Sequence, residues 1–259
     1  MYDLSIITIN FNDKTGLKKT IESVVNQDLK NFEYIVIDGG SNDGSLDVIN
    51  EYSNFIHYYV SESDNGIYNA MNKGLLKAKG NYVLFLNSGD TFYSNESLIY
   101  FEDFLLSKKY DIVYGNLCVI ETNKNWIKSY PSQLTFHYFI NDTLPFPSTI
   151  IRRDLFKDSG FFDENFKIVS DWKFFLRAIC KNNALYFHIE NPIVKFNLDG
   201  ISSNNLDLVK KERETILQEE FLFLINEFRE CQMNTSKIED LRKSKRIQFL
   251  QKIKILNEF

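Results

Sequence analysis

The sequence predicts an α/β protein: a mostly parallel sheet flanked by helices, followed by a helical C-terminal extension. Three observations carry this. Over the first ninety residues, short β-branched runs alternate with apolar residues at helical spacing, the pattern of βαβ units. A polar cluster follows each of the early strands, where an open parallel sheet binds its ligands. Beyond about residue 205 glycine and proline vanish and the composition turns helical.

Taken in order, Ser5–Ile9 reads as a buried strand, and Leu17, Ile21, Val24 and Val25 fall on one face of the helix after it. Tyr34–Ile37 forms a second strand, closed by the turn-rich Asp38-Gly39-Gly40-Ser41-Asn42-Asp43-Gly44, and Leu46, Val48 and Ile49 begin a second helix. Ile56–Val60 is the third strand. Ile67, Met71 and Leu75 lie four apart on a third helix that ends at Lys79-Gly80, a cation followed by glycine. Tyr82–Leu86 is the fourth strand and runs into Asn87-Ser88-Gly89-Asp90. From about Glu121 to Pro147 the periodicity degrades around Pro131, Pro145 and Pro147, which predicts a long excursion shaping a second substrate pocket. Order returns at Ser148–Ile151, at the helical face Trp172, Phe175, Leu176 and Ile179, and at the late strands Tyr186–Ile189 and Ile193–Phe196.

The expected division is a domain over 1–204, with a nucleotide-binding half over 1–90 and an acceptor half over 91–204, and an extension over 205–259. The 259 residues are 44% apolar and 25% charged with a net charge of −5, which excludes bulk disorder and a global nucleic-acid-binding charge. Residues 237–259 carry seven Lys/Arg against three Asp/Glu, leaving −9 on the rest of the chain. With Ile247, Leu250, Ile253, Ile255 and Leu256 as an apolar stripe, that tail is expected to meet an anionic membrane surface or a partner subunit. Cys118, Cys180 and Cys231 lie far apart and read as three packed thiols. No apolar stretch approaches the roughly 20 residues of a membrane span, and no leader precedes Leu4, so the expected location is the cytoplasm, with any membrane contact peripheral at its inner face. On that location the N-x-S/T matches at Asn95, Asn141 and Asn234 read as chance.

No P-loop, dinucleotide-binding G-x-G-x-x-G or nucleophile elbow is present. His57, His137 and His188 have no zinc spacing and read as structural. What remains is carboxylates and amides at strand ends: Asn10 and Asn12, Asp38, Asp64 and Asp90. A diphosphate needs its charge neutralised, and a hard divalent ion held by carboxylate oxygen does this, a role for which Asp90 is placed. Asp38 fits a base or ribose, and Asp171, opening its helix, fits a proton acceptor. Each of these aspartates also fits the plainer role of turn former or helix-start anion.

The segments TINFN (Thr8–Asn12), VIDGGSNDGS (Val36–Ser45), SDNGIYNAMNKGLLKAKGNYVLFLNSGD (Ser63–Asp90) and FDENFKIVSDWKFFLRA (Phe162–Ala178) resemble the family 2 glycosyltransferases of GT-A fold, in the family's order and spacing, over roughly Leu4 to Ser203. The likeness is to the bacterial branch that builds capsule, lipopolysaccharide and exopolysaccharide. It implies inverting transfer of a sugar from a nucleotide-diphosphate donor, UDP-linked by expectation, to a glycan or lipid-linked glycan, with Mg²⁺ or Mn²⁺ and no nucleic-acid partner. Carried over position by position, Thr8, Asn10 and Asn12 would line the nucleotide and Asp38 would hold uracil or ribose. Asp64, Gly66 and Asn69 would complete that pocket, and Asn87, Ser88 and Gly89 would lead to Asp90 on the metal. Asp171 would be the general base. Where relatives read D-S-D-D this chain has Asn87-Ser88-Gly89-Asp90, leaving one carboxylate for the metal, and Phe146-Pro147 stands where relatives often carry a histidine. The Gly200–Ser203 loop resembles a segment that closes near the donor. A sugar nucleotidyltransferase shares the architecture but wants a G-x-G-x-R-type loop that Phe11-Asn12-Asp13-Lys14 does not supply; a non-catalytic sugar- or nucleotide-binding module is the other alternative.

Overall fold

A computed structural model describes residues 2–121, 124–197 and 205–244. The described residues divide into two compact units at Val209/Lys210. In the first, the strands are β1 (Leu4–Asn10), β2 (Phe32–Asp38), β3 (Tyr58–Ser61), β4 (Tyr82–Phe85), β5 (Thr91–Phe92), β6 (Ile112–Glu121), β7 (Lys124–Lys128), β8 (Thr149–Arg152) and β9 (Tyr186–Asn197). They form one mixed sheet ordered β3-β2-β1-β4-β8-β6-β9-β5, with β7 hairpinned on β6.

The parallel half follows from the sequence. LSIITIN and FEYIVID bury every residue, as a strand covered on both faces must. Leu4 through Asn10 pair in register with Phe32 through Asp38, and Leu4 through Ile7 with Tyr82 through Phe85. The crossovers are α1 (Lys14–Val25), α2 (Ser45–Glu51) and α3 (Ile67–Lys77). Helix α3 packs close because it carries Gly74, where a Cβ would stand 2.5 Å from the Ile7 Cγ2.

The mixed half departs from expectation. The segment read as an excursion contains β7, which pairs back on β6, and β6 itself and the short β5 carry no periodicity that marked them beforehand. Helices α4 (Glu102–Ser107), α5 (Phe136–Asn141) and α6 (Leu155–Ser159) are each six residues or fewer, too short to show an amphipathic period. Tyr186–Asn197 is one strand rather than two, because its pairing with β6 continues past a bulge at Gly115–Leu117. The third strand is Tyr58–Ser61, two residues later than read at its start. Helix α7 (Ser170–Cys180) packs Phe174 and Phe175 into an aromatic core with Phe85, Phe146, Phe156 and Phe162.

The second unit holds most of α8 (Leu206–Glu220) and all of α9 (Leu222–Lys243), joined by a 2.8 Å ion pair between Arg229 and Glu214. The Ile247–Leu256 stripe and the Gly200–Ser203 loop lie outside the described residues. Among the described residues no helix is long and apolar enough to cross a membrane. Cys118 is buried, but Cys231 is exposed on α9, so the expectation of three packed thiols is corrected there: its helix turns that position to solvent. His57 is structural, its Nδ1 accepting the Tyr34 N–H at 3.0 Å.

Gly74→Ala tests the close approach of α3 to β1. Alanine favours a helix by about 1 kcal/mol, yet the clash with Ile7 should outweigh this and lower stability by roughly 1–3 kcal/mol in urea unfolding.

Candidate active site

The strand order 3-2-1-4 makes the gap between β1 and β4 the point where the connections reverse direction, and a crevice opens there at the carboxyl ends. Two adjoining cavities occupy it, one of about 510 Å³ and one of about 900 Å³, with Asp13, Ile67, Asn87 and Ser88 in both walls.

The smaller cavity is walled by Asn10, Phe11, Gly39, Asp64 and Gly66. Phe11 is 68% exposed, an aromatic face offered at the cavity. The Asn10 amide donates to Asp38 Oδ1 at 2.7 Å and to Ser41 Oγ at 3.2 Å, while its own Oδ1 is buried without a partner. Asn87 Oδ1 is likewise buried and unpartnered. Two acceptors in that state ask for donors from a ligand. Asp64 is paired with Lys73 at 2.5 Å, and Gly66 starts α3 at a φ of 112°.

The larger cavity takes the β4 loop as one wall. Ser88 Oγ donates to Asp13 Oδ2 at 2.8 Å, and Gly89 turns the chain at φ 94°, a left-handed conformation natural to glycine. Thr20 of α1 then fastens the loop, its hydroxyl accepting the Gly89 N–H at 3.1 Å and donating to the Asp90 carbonyl at 2.7 Å. Asp90 is thereby held 7% exposed. Burial pushes its carboxyl up to about 8, opposed by a backbone hydrogen bond from Asn197, and among the described residues no charged neighbour contributes. Such a group is a neutral acid at pH 7 unless a cation arrives.

On a different wall, Asp171 stands in the first turn of α7. The Tyr68 hydroxyl donates to its Oδ1 at 2.8 Å. Tyr68 itself is buried, and burial followed by the Asp171 charge holds its phenol well above the ordinary range.

Four expected site residues do not line these walls. Thr8 is fully buried, its hydroxyl 3.0 Å from the Tyr34 hydroxyl. Asp38 is also fully buried, and its carboxylate accepts hydrogen bonds from Asn10, from the Ser41 N–H and hydroxyl, and from Ser61. Burial pushes that carboxyl up, but those donors outweigh it and leave it below the usual range. Those internal bonds tie Asp38 to the loop after β2. Asn12, at φ 51°, clasps the loop after β2 by accepting the Asn42 N–H at 2.9 Å. Asn69 donates to Glu164 at 2.9 Å. Conversely, Phe11, Asp13 and Tyr68 line the cavities and were not singled out. An aromatic beside Asn10 and an aspartate three residues before a glycine were the available signals; Tyr68 gave none, since its partner is 103 positions away.

A divalent cation fits here only with help. No group of three or more His, Cys, Asp or Glu able to cage a metal exists among the described residues. One buried carboxyl, Asp90, with diphosphate oxygens and water supplying the remaining ligands, is the arrangement that Mg²⁺ or Mn²⁺ tolerates.

The family profile described as Glycosyl transferase family 2 matches residues 5–166. A PGL/p-HBAD biosynthesis glycosyltransferase of Mycobacterium bovis (strain BCG / Pasteur 1173P2) is 30% identical over 229 residues, 84% of this chain and 82% of that protein. An uncharacterized glycosyltransferase of Haemophilus influenzae is 29% identical over 209 residues, 78% of this chain and 82% of that protein. Among solved structures, S. aureus TarS 1-349 in complex with UDP superposes with a TM-score of 0.63 at 21% identity, over 76% of this chain and 60% of that one. A mannosyltransferase from Pyrobaculum calidifontis in complex with GDP-Man and Mn²⁺ gives 0.61 at 14% identity, over 79% and 59%. This chain therefore spans about three fifths of the length of those two structures, and at such identity they establish the fold alone.

The Asp90 environment makes a stability prediction. Its folded-state affinity for a proton exceeds that of the unfolded chain, so stability falls as pH rises from about 4 to about 8. Without added metal, Asp90→Asn should raise Tm by roughly 2–8 °C at pH 8 and by less at pH 5, in thermal unfolding followed by circular dichroism.

Proposed function

The chain belongs to glycosyl transferase family 2, and from that premise we propose that it moves a sugar, with inversion, from a nucleoside-diphosphate donor to a glycan or lipid-linked glycan of the cell surface. UDP-sugars are the proposed donors. The single observation that carries the reading is the placing of Asp90 and Asp171 on the walls of one cavity that adjoins a pocket of base-and-ribose size.

In this reading the nucleoside enters the smaller cavity, where Phe11 stacks on the base and the orphan oxygens of Asn10 and Asn87 accept its N–H or hydroxyl groups. The diphosphate lies along Ser88-Gly89-Asp90. A divalent ion held there by Asp90 would supply Lewis-acid neutralisation of the leaving diphosphate. Asp171 orients an acceptor hydroxyl and takes its proton as the oxygen bonds to the anomeric carbon and the bond to the diphosphate breaks. The proton ends on Asp171 and the electron pair on the nucleoside diphosphate, so attack comes from the face opposite the leaving group. The acceptor fills the arm between the β6–β7 hairpin and the Thr143–Pro147 segment, beside Trp126 and Tyr130.

PGL/p-HBAD biosynthesis in the mycobacterial relative and UDP in the TarS complex support a glycoconjugate acceptor and a uridine donor. Asp171→Asn should lower kcat by roughly 10²–10⁴ with donor KM unchanged, measured as nucleoside-diphosphate release from UDP-sugars. Asp90→Ala should remove the stimulation by Mn²⁺. Full turnover by Asp171→Asn would withdraw the base assignment.

A further inference from the structure

The base assigned above does not stand alone. Tyr68 is 4% exposed, and its ring packs against Phe162 with centroids 5.8 Å apart. Burial, followed by the Asp171 charge, keeps its phenol protonated. The hydroxyl donates that proton to Asp171 Oδ1 at 2.8 Å.

Helix α3 grips the approach to α7 at further points. Asn72 Nδ2 donates to the Phe162 carbonyl and to Glu164 Oε1, both at 2.8 Å, and its Oδ1 accepts the Phe162 N–H at 3.1 Å. Asn69 adds the second Glu164 oxygen at 2.9 Å. The same helix begins at Gly66 and Ile67 in the wall of the smaller cavity, so one rigid element touches the donor pocket and holds the carboxylate in the acceptor pocket.

We infer that Tyr68 is a positioning residue: its hydroxyl orients Asp171 and keeps it ionised, and α3 thereby sets the geometry of the base from the donor side. This rests on the reading of Asp171 as the general base. The other titratable groups lining the cavity are Asp13, Lys19, Asp90, Lys128, Tyr130 and Lys167. Tyr68→Phe leaves all of them in place and keeps the ring contact with Phe162, so what it changes is the hydrogen bond.

The test uses the full chain labelled with ¹³C at aspartate side-chain carboxyls. The Asp171 resonance is identified by its loss in Asp171→Asn. In Tyr68→Phe, Asp171 should titrate at higher pH, with proton affinity up roughly fivefold, while stabilisation of the protein by UDP with Mn²⁺ stays as in wild type. An unchanged Asp171 titration, or loss of UDP–Mn²⁺ stabilisation in the same variant, overturns the inference. If Tyr68→Phe does not fold, the reciprocal measurement decides. With ¹³C at the tyrosine ring, Asp171→Asn should let the Tyr68 phenol ionise at lower pH, and no movement overturns the inference. Activity separates the two claims: an active Asp171→Asn defeats the base reading whatever the titration shows.

Discussion

Everything at the site depends on β1 being hydrogen-bonded in parallel on both sides. Its seven residues are all buried, and its register with β2 and β4 brings three carboxyl ends to one edge. The ladder extends past β4, where the Leu86 and Ser88 N–H groups donate to Ile7 and Ile9 carbonyls at 2.9 and 3.0 Å. Those two bonds fix where Asn87-Ser88-Gly89-Asp90 begins. Helix α1, leaving the end of β1, then supplies Thr20 to fix where it ends. Elementary strand pairing thus delivers an aspartate to the floor of a crevice with little freedom to move.

The consequence is electrostatic. A buried carboxyl without a cationic partner is destabilising, and a fold retains one where a ligand compensates it. Asp38 shows the contrast within the same chain: also buried, it accepts four internal donors and stays ionised. The two aspartates follow β2 and β4, the strands on either side of β1, yet their surroundings push their proton affinities in opposite directions.

Much of this was legible in the sequence, for physical reasons. Fully buried parallel strands read as apolar runs and their crossover helices as amphipathic periods, so β1, β2, β4, α1 and α3 were evident; so was the clustering of polar residues at strand ends. Asp90 and Asp171 could be named because a loop aspartate after a buried strand and another at a helix start stand out. What sequence order does not show at Asp38 is that Ser41, Ser61 and Asn10 converge on it, since it shows only that the residue ends a strand. The hairpin β6–β7 escaped because Trp126 and Ile127 sit on a half-exposed edge, where no alternation forms. Tyr68 escaped because a hydroxyl on a helix face declares its purpose only when the facing helix is in view.

The central claim is the proposal that Asp90, a buried neutral acid, ionises when the proposed donor's diphosphate and a divalent ion arrive. Calorimetric titration of the protein with UDP and Mn²⁺ at pH 7, in buffers of different ionisation heat, reads that proton directly. The account predicts release of about one proton per UDP bound by the wild type and essentially none by Asp90→Asn, after correction for protons released by UDP and Mn²⁺ alone. Equal release by both proteins, or none by the wild type, would contradict it.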